Sequence, residues 1–174
     1  VEVPTGESYF RRGMVGVMLG RVKMAVEVRS DRTFEFPVGP ADLWSALTAV
    51  DRYRRWWPWL RRFDGRSFSG GARWRCEVRS PLLYRVRFEV VLDEVVGGRS
   101  ASVTVVGDIA GHARLDVTPR EDGSRLRLVS VLAPHSRLLQ TIGRLVPPIA
   151  RFGHDRLLDT GVRQFRARAL GPGR

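Results

Sequence analysis

A single cysteine, Cys76, occurs in 174 residues, so no disulfide can close within the chain. That excludes the small secreted scaffolds stapled by such bridges, and a reducing, cytoplasmic setting is expected. Lysine is almost missing: Lys23 stands alone, and every other member of the 30 basic residues is arginine. Histidine is scarce as well. His112, His135 and His154 are scattered, and neither they nor Cys76 follow a metal-ligand spacing, so no metal or cofactor is expected. No apolar run approaches the ~20 residues that span a bilayer. No glycine-rich loop joins a strand to a helix, and no serine sits in a nucleophile elbow. These gaps remove the best-marked nucleotide, metal and serine-hydrolase sites.

What remains is a basic, moderately apolar chain. Its length suits one domain, and 43% hydrophobic residues suffice for a core. The formal net charge is +12. The arginines are dispersed rather than blocked and accompany abundant Gly, Ala and Val, which reads as a compositional skew more than a polyanion site. No specific nucleic-acid partner is expected. Peripheral contact with an anionic membrane stays open for a charge of this sign.

Residues 1–24 do not read like the rest. Met14-Val15-Gly16-Val17-Met18-Leu19-Gly20 is short and glycine-broken for a signal core, and Glu2 and Glu7 precede it. A poorly ordered extension is expected there, with translation starting at Met14, Met18 or Met24. A single domain is expected over 25–170, followed by a tail at 171–174.

The domain opens with a strand over Val26–Phe36, with Phe34 and Phe36 on one face and Thr33 and Glu35 on the other. Leu43, Leu47 and Val50 then fall at helical spacing behind Pro40, with Trp44 widening the stripe. A second helical turn from Asp51 to Trp57 stops before Pro58. From about Phe63 to Leu132 the period is two. Trp74, Cys76 and Val78 alternate with Arg73, Arg75 and Glu77; Val86, Phe88 and Val90 alternate with Arg85, Arg87 and Glu89. Leu126 and Leu128 alternate with Arg125 and Arg127. Turns are marked by Gly70-Gly71, Ser80-Pro81, Gly97-Gly98 and Asp122-Gly123. Each strand therefore has one buried and one wet face, with those arginines on the wet side. The apolar face needs a cover. His154, Leu157, Leu158, Gly161, Val162, Phe165 and Ala169 supply one as a helix stripe, and Pro147-Pro148 separates it from a helical pattern over Arg137–Val146.

The order strand, two short helices, strand meander, long helix resembles the START-like (SRPBCC) superfamily of polyketide cyclases, lipid-transfer domains and birch-pollen-type allergens. Phe34-Glu35-Phe36-Pro37-Val38 with Asp42-Leu43-Trp44 looks like its opening strand and first helix. Asp51-Arg52-Tyr53-Arg54-Arg55-Trp56-Trp57-Pro58 looks like its aspartate, tyrosine, tryptophan and proline signature, and Gly71-Ala72-Arg73-Trp74 like its next hairpin. The nearest branch is the bacterial one labelled polyketide cyclase/dehydrase and lipid transport. The resemblance implies an α+β helix-grip fold: a curved antiparallel sheet of six or seven strands around a long C-terminal helix, with an internal cavity. It implies a carrier or sensor of a small hydrophobic ligand such as a lipid, quinone or polyketide. The alternatives are a cyclase, aromatase or dehydratase acting on a bound poly-ketone chain, and an interaction module using the arginine-rich outer face. Fold-level likeness leaves that chemistry open.

The expected lining is Trp74, Cys76, Phe88, Val90, Leu128, His154, Leu158 and Phe165, unless these residues pack a solid core. Of Trp56, Trp57 and Trp59, at least one is expected at the cavity mouth; the alternative is that they cap the short helices. Gly161 is expected to leave a gap on the helix side. Cys76 reads as packing rather than nucleophile. His112 and His135 are expected to face solvent. Asp108, at a bend after Gly107, and His154 form the one acid–base pair that catalysis could draw on.

Overall fold

In the computed structural model, residues 27–79, 85–137, 139–141 and 147–171 are described, apart from the side chains of 147–155. Residues 1–24 and the Ser80-Pro81 turn lie outside that description. Strand β1 (Val28–Phe36) ends at Pro37 and leads into α1 (Pro40–Thr48), which has proline in its first turn and Asp42 facing the helix N-terminus. Leu43 and Ala46 are its buried contacts. A 3-10 turn (Val50–Arg52) passes into the one-turn helix α2 (Tyr53–Trp56). Then follow β2 (Leu60–Phe63), β3 (Arg73–Arg79), β4 (Arg85–Val96), β5 (Ser100–Gly107), β6 (Ile109–Arg120), β7 (Gly123–Pro134) and the long helix α3 (Pro147–Ala169). Helix α3 starts at Pro147, and residues 142–146, which precede the two prolines where a break is expected, lie outside the described residues.

The seven strands form one antiparallel sheet in the order β1-β7-β6-β5-β4-β3-β2. The α+β helix-grip architecture expected from the sequence is therefore the observed one. Register divides the sheet into two faces. Across the inner face, Arg32, Leu128, Leu115 and Ala101 lie opposite one another in successive strands. The neighbouring row is Ser30, Ser130, Ala113, Val103 and Leu92, and the next runs Leu132, Gly111, Val105, Val90 and Trp74. Arg73, Arg75, Arg85, Arg87, Arg125 and Arg127 all point outward and are exposed, as their alternation required. Gly107 and Gly111 sit where neighbouring strands approach too closely for a side chain: a Cβ would lie 2.6 Å from the Arg87 carbonyl oxygen and 2.0 Å from that of Val131. Both have positive φ, 142° and 147°, which glycine alone adopts readily.

The alternation misses one residue. Glu77 faces outward with its arginine neighbours but is buried. Its carboxylate pairs with the guanidiniums of Arg87 (3.0 Å) and Arg85 (3.5 Å). The Arg87 hydrogen bond holds the Glu77 carboxyl below its ordinary range.

Candidate ligand-binding site

The helices close the two ends of the inner face differently. Over β2 and β3 the interior is filled with rings. Tyr53 packs against Trp56, Trp57, Phe63 and Trp74 with centroids 4.8–5.9 Å apart. Trp56 meets Phe165 of α3 edge-on at 5.3 Å, and Phe36 meets the same ring at 5.9 Å. Trp56, Trp74, Cys76 and Phe165 are all buried here. Burial pushes the Cys76 thiol up to about 12 and also raises the Tyr53 hydroxyl, which donates to the Leu47 carbonyl at 2.5 Å.

Trp57 and Trp59 are half-buried and tied to the helix. The Trp57 indole N–H donates to the Gly161 carbonyl (2.9 Å), and the Trp59 indole N–H donates to Gln164 Oε1 (3.1 Å). Arg168 returns from α3 to the carbonyls of Arg55 and Trp56, which caps α2. The expected gap at Gly161 is therefore occupied. Two indoles lie against that glycine, each 3.6 Å from where a Cβ would stand. Sequence spacing placed Gly161 on the inner stripe, but the partners that fill the space come from a segment over a hundred residues away.

Over β4–β7 the inner face is different. Phe88, Val90, Val103, Leu115 and Leu128 are only half-buried, although their strands lie in the interior of the sheet. Between them stand small groups: Ala101, Gly107, Gly111, Ala113, Ser30 and Ser130. A curved sheet carrying small side chains cannot bring a straight helix into contact everywhere. Leu158 is half-buried on the helix side; the side chain of His154 lies outside the described residues. Ser30 and Ser130 face each other across β1 and β7, and both hydroxyls are buried without a hydrogen-bond partner.

Asp108 does not belong to this face. Its carboxylate accepts the backbone N–H of Arg87 at 2.8 Å, and its carbonyl accepts those of His135 and Ser136. It staples the β5–β6 bend to β4 and to the segment after β7, which is the turn role a carboxylate after glycine performs. Asp108 thus has no acid–base partner among the described residues. His112 and His135 are exposed, as expected.

The sequence reading missed the margin of the inner face at edge strand β1. A groove of about 620 Å³ runs between β1 and α3, lined by Arg32, Phe34, Arg156, Asp159, Val162, Arg163 and Arg166. Arg32 Nη2 donates to Asp159 Oδ1 at 2.5 Å, bridging strand and helix. Arg166 donates to the Glu35 carbonyl at 2.5 Å, and its guanidinium lies 5.0 Å from the Phe36 ring centroid. The signal was present in the sequence: Ser30 and Arg32 share the parity of Phe34 and Phe36, so a polar and a charged side chain had to stand on the apolar side. Among the described residues, no three His, Cys, Asp or Glu side chains converge as a metal site would require. No helix among them is long and apolar enough to cross a membrane.

A family model described as polyketide cyclase / dehydrase and lipid transport matches residues 27–170. Among solved structures, an uncharacterized protein from Rhizobium leguminosarum superimposes with a TM-score of 0.61 at 12% identity, over 82% of this chain and 93% of that one. The di-domain ARO/CYC StfQ from the steffimycin biosynthetic pathway gives 0.65 at 14% identity, over 83% of this chain and 51% of that one, about half its length. Ara h 8.0201 gives 0.60 at 10% identity, over 83% and 99% of the two chains. At such identities the likeness is one of fold. No curated protein matches in sequence.

Proposed function

Because the chain belongs to the polyketide cyclase/dehydrase and lipid transport family, we propose that it binds a small hydrophobic molecule against the inner face of β4–β7, as a carrier or sensor. The observation that carries this reading is the accessible apolar surface of Phe88, Val90, Val103, Leu115 and Leu128, on strands where a filled core would bury it. Water against such a face is unfavourable by roughly 25 cal/mol per Å², and an apolar ligand would remove that cost. The second support is the Ser30–Ser130 pair. Buried hydroxyls left without partners cost about 1–3 kcal/mol each, and a carbonyl or hydroxyl on the ligand could satisfy them. The aromatic half of the interior plays the complementary part: it fixes α3 against the sheet so that the other half can stay open.

Catalysis on a bound poly-ketone would need an acid–base pair on this face. Asp108 is held by strand backbone, so the binder reading stands ahead of the cyclase, aromatase or dehydratase reading. The test is a titration with the neutral dye Nile red, paired with thermal unfolding, for the native sequence and Ala113→Phe. Ala113 stands between Val103 and Ser130 on the inner face. Dye binding should fall sharply in the variant while the unfolding midpoint holds, because the added ring enters open space. In a filled core the same ring would overpack at about 1–3 kcal/mol, and no dye would bind the native sequence. Native mass spectrometry with lipid extraction, on protein from its own host, would then identify the ligand.

A further inference from the structure

Strand β2 is an edge strand, and its pairing with β3 carries a bulge. Leu60 pairs with Val78 and Arg62 with Glu77, so Arg61 is the extra residue between them. A regular strand would turn Arg61 and Arg62 to opposite faces. The bulge instead keeps Leu60 and Phe63 on the inner face, where Phe63 meets the Tyr53 and Trp74 rings, and leaves both arginines exposed. On the outer face Arg62, Glu77 and Arg87 lie opposite one another across β2, β3 and β4, and Arg79 lies directly opposite Arg85. Like charges placed opposite each other repel. Glu77 stands among these guanidiniums and is already paired with Arg87 and Arg85.

Arg61, Arg62, Arg79 and Arg85 line a concavity of about 250 Å³ together with Glu77. That is below the ~300–1,000 Å³ that encloses a drug-sized molecule, and it suits one small charged group. Among the described lining residues, four guanidiniums stand against one carboxylate, which leaves an excess of positive charge. Guanidinium forks match the paired oxygens of a phosphoryl group, and such a group would also relieve the repulsion between Arg79 and Arg85. We propose that this pocket at the β2 bulge is an oxyanion site that takes a phosphoryl group, on the face of the sheet opposite the candidate ligand-binding site. Strand pairing and the bulge assemble it from arginines that the sequence spreads over residues 61–85.

Inorganic diphosphate is the probe, titrated calorimetrically at constant ionic strength. It should bind at one per chain. Arg61→Gln and Arg62→Gln should each weaken it about tenfold, the loss of a charge-assisted hydrogen bond, while the thermal midpoint holds because both side chains are exposed. Arg73→Gln removes the same charge from an outward arginine that pairs with Glu89 instead, and it should leave diphosphate affinity unchanged. Vesicles distinguish the source of the group. Flotation with phosphatidylcholine vesicles carrying phosphatidate, reversed by diphosphate and lost in Arg61→Gln, assigns it to a lipid headgroup. Diphosphate binding without flotation assigns it to a soluble phosphorylated molecule, and either result upholds the site. Diphosphate that fails to bind, or that loses as much affinity in Arg73→Gln as in Arg61→Gln, would overturn it.

Discussion

At Cys76, two neighbours in the chain that carry charge, Arg75 and Glu77, turn away while the thiol turns in. The sulfur lies 3.8 Å from the Trp74 carbonyl, as a weak donor within the aromatic half of the interior. Burial first, and the Asp64 carboxylate second, raise its pKa to about 12, so the thiolate is not populated near neutrality. Iodoacetamide at about pH 8 should leave the native protein unlabelled and label it fully in denaturant, read as a mass shift. Rapid labelling of the native state would place the thiol at an accessible surface. Residue-scale reasoning also separates Glu77 from the other outward residues. It is buried and paired with Arg85 and Arg87, which no period-two pattern encodes.

Helix α3 shows how one element serves two halves of the interior. Its buried stripe, Gly161, Phe165 and Ala169, meets the tryptophan corner, while Leu157 and Leu158 are half-buried one turn earlier. At Gly161 the two readings of the sequence diverge in a measurable way. A tryptophan there would have to displace the indoles of Trp57 and Trp59 and the hydrogen bond to the Gly161 carbonyl. Gly161→Trp should lower the urea midpoint by the equivalent of roughly 1–3 kcal/mol or more. Gly161→Ala adds a methyl at ordinary contact distance, and it also gains about 1 kcal/mol of helix propensity, so its midpoint should hold or rise. A Gly161→Trp variant as stable as the native protein would show that the corner can open.

The whole molecule carries +12 formal charges, and eight carboxylates among the described residues pair with arginines. Asp31 pairs with Arg127 across β1 and β7, Asp64 accepts the backbone and side chain of Arg75, and Glu77 lies under Arg85 and Arg87. Each carboxyl is held below its ordinary value, Asp31 by the Arg127 hydrogen bond, Asp64 by the Arg75 backbone N–H, and Glu77 by Arg87. A folded-state pKa below the unfolded one means that the unfolded chain takes up protons first as pH falls. This stabilisation is present in full above the ordinary carboxylate range and is lost as pH drops through the lowered values. The thermal midpoint should therefore hold at neutrality and decline in acid, where the unneutralised arginines add repulsion. A midpoint unchanged down to strongly acidic pH would mean that these pairs contribute nothing. On the side of β2, Arg54, Arg55, Arg61, Arg62 and Arg79 line three adjoining concavities that also hold Asp64 and Glu77.

The strand faces, most of the turns, the start of the long helix at its two prolines and its inner stripe were legible without coordinates. Each depends on local periodicity or on a backbone that proline and glycine constrain within a few residues. Trp74, Cys76, Phe88, Val90, Leu128 and Phe165 were correctly set on the inner side by the same rule. Which of them would be sealed and which would keep accessible surface was not legible. Trp57 and Trp59 reach Gly161 and Gln164 across the chain, and Arg32 reaches Asp159 likewise. Those distances depend on sheet curvature and on where the helix comes to rest. The sequence by itself determined which side of each strand is apolar, because a side chain's face follows from its parity. Only the tertiary structure decided that one half of that apolar side is sealed by rings while Phe88, Val90, Val103, Leu115 and Leu128 of the other half stay half-buried, because filling depends on partners distant in the chain.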